Sequence, residues 1–217
     1  MTSAHILYIP TIFLLGFLTG SLAGKGFSNS NNPANESGIT GKVLLGSFVI
    51  FAIVFIGTHF FDIPRSSKAV SNALNGLEIF DKKPSYTSAE VYSRIELFPE
   101  NGRLLYQQFT YTIDVLFPIT LFVFLFLLSR FVINKITMSR TSQIILMAVP
   151  VLWLSMDFVE NAIIFNLLNN FPVKHHALAG SLGYITITKF SLLLLSILAP
   201  TLLITLHNMR RRVITNS

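Results

Sequence analysis

The chain has 217 residues, 52% of them hydrophobic and only 12% charged, where a soluble domain carries about 25% charged residues, so this is the composition of a membrane protein. It contains no cysteine, which excludes disulfides, thiolate metal sites and thiol nucleophiles together. Its formal net charge of +6 does not imply nucleic acid, because the basic residues gather at the ends of apolar stretches, where membrane orientation alone would place them.

Five apolar stretches approach the roughly 20 residues that a spanning helix needs: Ile6–Ala23, Val43–Phe61, Thr112–Ile133, Ile144–Leu168 and Tyr184–Leu206. They predict an all-α integral membrane helical bundle of about five transmembrane helices. An N-terminal helix within 1–24 and a cytoplasmic linker at 25–42 precede a four-helix core in 43–217. A small extracytoplasmic helical cap occupies 62–110.

The first stretch is the shortest and carries Pro10 in its opening turns. Ser21-Leu22-Ala23 resembles a signal cleavage site, but no Lys or Arg precedes Lys25, so the positive n-region of a secretory signal is missing. Cleavage would also put the later basic loops on the wrong face, and we expect the helix to be retained. Gly16, Gly20 and Gly24 recur at spacing four, which lets two helix backbones approach closely. Packing within the chain is the common use of that pattern, and a homodimer seam is the alternative.

Orientation follows from the short connections. Arg130, Lys135 and Arg140 surround the third-to-fourth connection, and Arg210, Arg211 and Arg212 follow the last span. The positive-inside rule makes that side cytoplasmic. Lys25 and Lys42 fall on the same side, whereas 169–183 holds only Lys174, with His175 and His176, and faces out. The N-terminus is therefore expected outside and the C-terminus in the cytoplasm, as in a bacterial inner-membrane protein. The Asn35-Glu36-Ser37 sequon would then be cytoplasmic and unused.

The long outer connection balances its charges and is too long to be structureless. Thr87 and Glu90 have capping-box spacing and lead into Val91, Ile95 and Phe98 on one helical face. Pro99 and Asn101-Gly102 mark a turn, and a shorter helix is expected over Ser67–Leu74, closed by Asn75-Gly76. Two amphipathic helices would thus lie over the outer mouth of the bundle, as a packed cover or as a lid or partner surface. No further breaker occurs between Gly102 and Pro118, so the third span is predicted to begin near Arg103. Arg103, Gln107, Thr110 and Asp114 would then form one polar stripe running down towards the membrane.

Four ionisable residues fall inside or at the edge of spanning stretches: Asp114, Asp157, Glu160 and Lys189. Each costs about 2.5–3.5 kcal/mol at a helix centre on insertion scales. Trp153, Asp157, Glu160, Asn161 and Ile164 share one face of the fourth span. At about 1.5 Å of rise per residue, Asp157 lies near the midplane, with Glu160 roughly 6 Å, Lys189 roughly 9 Å and Asp114 roughly 13 Å outward. Glu160 and Lys189, nearest in depth, are the expected ion pair. Three carboxylates then face one lysine, so the site needs a protonated acid, a bound cation or a water-filled vestibule. A network that merely fixes helix register is the competing reading, at about 0.6 kcal/mol per hydrogen bond.

Other chemistry is thinly marked. His59, Asp62, His175 and His176 lie near the outer ends of helices and could join Asp114 or Glu160 in a metal site. No HExxH spacing supports this, and solvated interfacial histidines are the plain alternative. There is no phosphate loop, nucleophile elbow or Ser-His-Asp pattern, and no motif names a cofactor. Asp157 and Glu160 could serve acid–base chemistry on a lipid headgroup, but no nucleophile or metal partner accompanies them.

The segments Tyr111-Thr112-Ile113-Asp114-Val115-Leu116-Phe117-Pro118 and Asp157-Phe158-Val159-Glu160-Asn161 resemble motifs of a family of small bacterial polytopic membrane proteins with no assigned activity. In that family a Gly-Arg and Tyr segment precedes the first motif, as Gly102-Arg103 and Tyr106 do here, and a lysine-bearing helix follows the second. The resemblance covers roughly Glu90 to Leu206 and implies a four-span fold, from which the extra N-terminal helix departs. It implies no mechanism.

Three functions follow as expectations. The first is a non-catalytic binding or accessory subunit, with an outward-facing polar pocket for a cation, proton or lipid headgroup and with membrane lipids or other membrane subunits as partners. The second is a small ion- or proton-coupled transporter. The third is a membrane-embedded lipid enzyme. A transporter needs a polar path towards 130–140, and the inner halves of the last three spans offer little beyond Ser155, Ser196 and a few hydroxyls.

Overall fold

The computed structural model describes residues 40–215, with side chains to Arg210. The predicted N-terminal helix, its Gly16, Gly20 and Gly24 row, and most of the linker lie outside the described residues. Among the described residues every regular element is helical: α1 (Gly41–Phe60), α2 (Ser67–Ala73), α3 (Ser88–Leu97), α4 (Glu100–Thr110), α5 (Ile113–Lys135), α6 (Arg140–Asn170) and α7 (His176–Thr215). Four stretches are long and apolar enough to cross a membrane: Gly41–Phe60, Glu100–Lys135, Arg140–Asn170 and His176–Arg210.

These helices extend beyond the apolar windows that mark them. Hydropathy locates the part of a helix that suits lipid, whereas its ends are set by caps and turns. Helix α7 therefore begins at His176 rather than at Tyr184. The third span differs in kind. Helix formation starts at Glu100 but is interrupted at Tyr111 and Thr112 before α5 begins at Ile113. Pro118 lacks an N–H and leaves the Asp114 carbonyl without its helical donor. One turn earlier the chain closes with tighter bonds, Thr112 N to Phe109 O at 3.1 Å and Val115 N to Thr112 O at 3.3 Å. Arg103 and Asp114 thus belong to separate helices, not to one continuous stripe.

Packing divides the chain into two compact units. One contains Ile53–Ile119 and Leu152–Ser191. Its apolar core includes Val70, Leu74, Phe80, Val91, Ile95, Tyr106, Ile164, Leu167 and Leu182. Helix α2 is capped by Ser66, whose side chain accepts from Ala69 N, and it ends where Asn75 and Gly76 take positive φ values of 56° and 79°. Helix α3 opens on the complete capping box of Thr87 and Glu90. Two glycines permit close approaches in this unit. A Cβ on Gly102 of α4 would meet the Ala73 carbonyl at 2.5 Å, and one on Gly183 of α7 would meet the Ser85 carbonyl at 2.6 Å. The segment between α2 and α3 is therefore pressed against helices rather than free above them.

The other unit comprises the described residues up to Ala52 with Thr120–Val151 and the described residues from Leu192 on. Its described interior is apolar, with Leu44, Phe51, Phe124, Leu125, Leu128 and Val132 all buried. Phe51 and Phe124 stack at 6.2 Å. Among its described residues the buried polar side chains are two hydroxyls, Ser129 and Ser196.

Candidate functional site: a buried carboxylate cluster around Lys189

Helix α6 is inverted relative to a helix of a soluble protein over residues 152–170. Asp157, Glu160 and Asn161 are buried, while Phe158, Val159 and Phe165 are exposed. Polar side chains inside and apolar side chains outside suit lipid as the surrounding solvent. The buried face continues through Trp153, Ile164, Leu167 and Leu168, which recur at the three- and four-residue spacing of one helical side. Helix α7 presents Leu182, Thr186 and Lys189 as buried residues in the same spacing.

Lys189 is the centre of the site. Its Nζ pairs with Glu160 Oε2, lies 3.2 Å from Asp157 Oδ1 and 3.8 Å from Asp81 Oδ1. Glu160 takes a second hydrogen bond from the Thr186 hydroxyl at Oε1. Its side chain is fully buried, Lys189 is 6% exposed, Asp157 8% and Asp81 21%. Exposure therefore rises from Glu160 to Asp81, which is the wettest member of the cluster.

Asp114 stands at the first turn of α5, where a helix N-terminus favours negative charge. It is buried, and it feels the charges of Asp81, Asp157, Lys189 and Glu160. Among the described residues no basic group lies within 4.0 Å of it.

Asp81 is the member that sequence reasoning misses. By sequence it is one of the balanced charges of the outer connection, and its arrival raises the carboxylate total from three to four. Its position is built by two side chains from neighbouring helices. Tyr106 of α4 accepts a hydrogen bond from the Phe80 backbone N–H at 2.9 Å. Arg94 of α3 donates to the Glu78 carbonyl at 2.8 Å, the Ser85 hydroxyl at 2.8 Å and the Lys83 carbonyl, and lies 4.4 Å over the Phe80 ring. Burial pushes the Arg94 guanidinium below its usual value, opposed by Tyr106, Glu78 and Glu90. Burial likewise lowers Lys82 below the usual 10.5, opposed by Glu78 and Asp81. The signal available in sequence is the apolar pair Ile79-Phe80 within a polar connection, since two buried hydrophobes carry the next residue inward.

Two expected groupings do not assemble. Arg103 donates to the Phe98 carbonyl at 2.7 Å and stacks over Phe171 at 4.8 Å, so it serves the α3–α4 corner rather than the cluster. The histidines take separate local roles. His59 stacks on Phe55 at 4.4 Å and its Nδ1 lies 2.9 Å from the Thr58 hydroxyl. His176 Nδ1 lies 2.8 Å from the Ser88 hydroxyl, and the His175 backbone N–H donates to the Tyr92 hydroxyl. Asp62 accepts from Asn72 at 3.4 Å. Among the described residues no three His, Asp or Glu side chains gather as a metal site, so the His59, Asp62, His175 and His176 candidates are not brought together.

Several buried polar atoms in the site lack a hydrogen-bond partner: Asp81 Oδ1 and, on α6, Trp153 Nε1, Asp157 Oδ2, and both Oδ1 and Nδ2 of Asn161. More than nine in ten buried polar groups in folded proteins are bonded, so four such atoms on one helix face are unusual. What the arrangement can do is hold positive charge and exchange hydrogen bonds with a polar guest. No protein family, curated protein or solved structure matches the chain, and the likeness of its two short motifs stays with the motifs themselves.

Proposed function

We propose that the chain is a multi-pass membrane protein whose carboxylate cluster binds a cation, a proton or the polar headgroup of a lipid, acting without catalysis as a binding or accessory subunit. The observation that carries the reading is the charge count: four buried or half-buried carboxylates, Asp81, Asp114, Asp157 and Glu160, gather around Lys189, which among the described residues is the one basic group within 4.0 Å of any of them. Fully ionised, they would leave three negative charges without a direct partner. Desolvating each ion costs several kcal/mol, so protons, a guest or water entering beside Asp81 must offset the excess, and in this proposal protons or a guest do so.

The basic residues assign the sides. Arg130, Lys135, Arg140 and the run from Arg210 lie in the cytoplasm of a bacterial cell, and the segment carrying Asp81 lies outside. On that orientation the cluster opens outward through Asp81 and the two amphipathic helices α2 and α3 form an outer cap. The Thr120–Val151 unit argues against the transporter alternative, because its described interior offers only the Ser129 and Ser196 hydroxyls. The lipid-enzyme alternative has paired carboxylates but no nucleophile beside them.

Native mass spectrometry of the protein released gently from membranes tests the proposal. The wild-type chain should carry a bound cation or lipid, alone or with partner subunits, and Asp114→Asn and Asp157→Asn should lose the small ligand. A bare chain, with both variants as stable as wild type, would reduce the cluster to a structural pin.

A further inference from the structure

We infer that Trp153, Asp157 and Asn161 form a recognition row for a primary ammonium group bearing a nearby oxygen acceptor, which is the chemistry of 2-aminoethanol, free or as the headgroup of phosphatidylethanolamine. The inference rests on the binding reading above and narrows its ligand.

The three residues recur at spacing four along α6 and are each at least nine-tenths buried. They therefore stack along one helix side, about 6 Å of rise apart. Their unpartnered atoms alternate in kind. Trp153 Nε1–H only donates, Asp157 Oδ2 accepts when ionised, and Asn161 offers one acceptor and one donor. A guest that satisfies the row must bring N–H or O–H donors to Asp157 and Asn161 Oδ1. It must also bring an acceptor to Trp153 Nε1–H or to Asn161 Nδ2, which stand about 12 Å of rise apart on α6, so a small guest meets one of the two.

Those requirements discriminate between cations. A bare metal ion has no acceptor for the indole N–H. A quaternary ammonium such as choline brings only its one hydroxyl to Asp157 Oδ2 and Asn161 Oδ1, and phosphatidylcholine brings no donor. A primary ammonium brings three donors, and an oxygen two carbons away brings the acceptor. The face of Trp153 adds attraction for a cation of this kind.

Trp153 is the single tryptophan of the chain, so its fluorescence reports on the row without any label. The detergent-purified full-length chain is titrated with ethanolamine, with choline, and with sodium chloride, and separately across pH. It is also reconstituted into nanodiscs of phosphatidylethanolamine or phosphatidylcholine with matched acyl chains. A saturable emission change with ethanolamine and not choline is the expected result, and a difference confined to the phosphatidylethanolamine discs would identify the lipid as the source. Asn161→Leu should weaken the response about tenfold or more, which is the loss expected for removing well-placed hydrogen bonds to a charged guest. Far-ultraviolet circular dichroism and thermal unfolding of Asn161→Leu matching wild type show that the variant folds, so that a lost response is a lost contact and an unchanged response in the folded variant overturns the inference. Equal responses to ethanolamine and choline, or no response to either amine or lipid, overturn the inference. If sodium or pH still changes the emission, the broader binding reading survives; if nothing does, both fall.

Discussion

Replacing Lys189 with methionine removes the ammonium that Asp81, Asp157 and Glu160 share. At 3.2 Å, the attraction to Asp157 alone is about 5 kcal/mol for an effective dielectric near 20. Relief of the lysine's own desolvation offsets part of that gain. Removing one partner of a buried pair typically costs about 3–5 kcal/mol, because the other charge stays buried and unpaired. Here three carboxylates are left, one of them fully buried, so Lys189→Met should fall at or above the upper end of that range. Glu160→Gln is the informative contrast. It keeps a side chain for Thr186 to bond, leaves Lys189 with Asp157 and Asp81, and reduces the acid excess, so it should cost no more than about 1 kcal/mol. The double variant should recover part of the Lys189→Met loss, with a coupling of about 1–3 kcal/mol. Unfolding in mixed micelles, followed by far-ultraviolet circular dichroism, gives all three values. If Glu160→Gln is as damaging as Lys189→Met, or if Lys189→Met costs less than about 1 kcal/mol, as a surface change would, the charge-count reasoning is wrong.

Three further outcomes are expected. Gly183→Ala and Gly102→Ala should each cost about 1–3 kcal/mol by overpacking, since each Cβ would meet a backbone carbonyl; Gly57→Ala, with nothing within 4 Å, should be neutral or stabilising by up to about 1 kcal/mol in thermal or denaturant unfolding. Arg94→Met leaves the Glu78 and Lys83 carbonyls without their donor, and hydrogen exchange should accelerate across 78–85 while α6 stays protected; uniform acceleration would mean that Arg94 holds the whole unit rather than the Asp81 segment. Because the chain lacks cysteine, single cysteines at Ser93 and Ser139 can be labelled one at a time in intact cells. An impermeant reagent should reach the first and spare the second, and the reverse would invert the proposed orientation.

Much of the fold is legible in the sequence, for identifiable reasons. The four helices within 40–215 that are long and apolar enough to cross a membrane declare themselves by their unbroken apolar runs. The pairing of Glu160 with Lys189 follows from depth along two neighbouring helices, and the Thr87 and Glu90 capping box from local spacing. The turn at Tyr111 and Thr112 is not legible, since neither residue is a helix breaker; at the turn the Thr112 hydroxyl donates to the Gln108 carbonyl at 2.6 Å. Asp81 escapes for a different reason. A carboxylate in a polar connection looks solvated until tertiary contacts, here from Arg94 and Tyr106, carry its backbone inward. Arg103 errs the opposite way, as it shares a helical period with Asp114 but finds a carbonyl and the Phe171 ring nearer to hand.

The central claim is that the cluster holds a guest rather than only itself. The most direct measurement is a high-resolution density map of the protein in a lipid bilayer, read along the row of Trp153, Asp157 and Asn161. The account expects ordered density bonded to Trp153 Nε1, to the free oxygen of Asp157 and to the Asn161 amide, and its loss in Asp157→Asn. Side chains turned to protein partners, with no density between them, would contradict it.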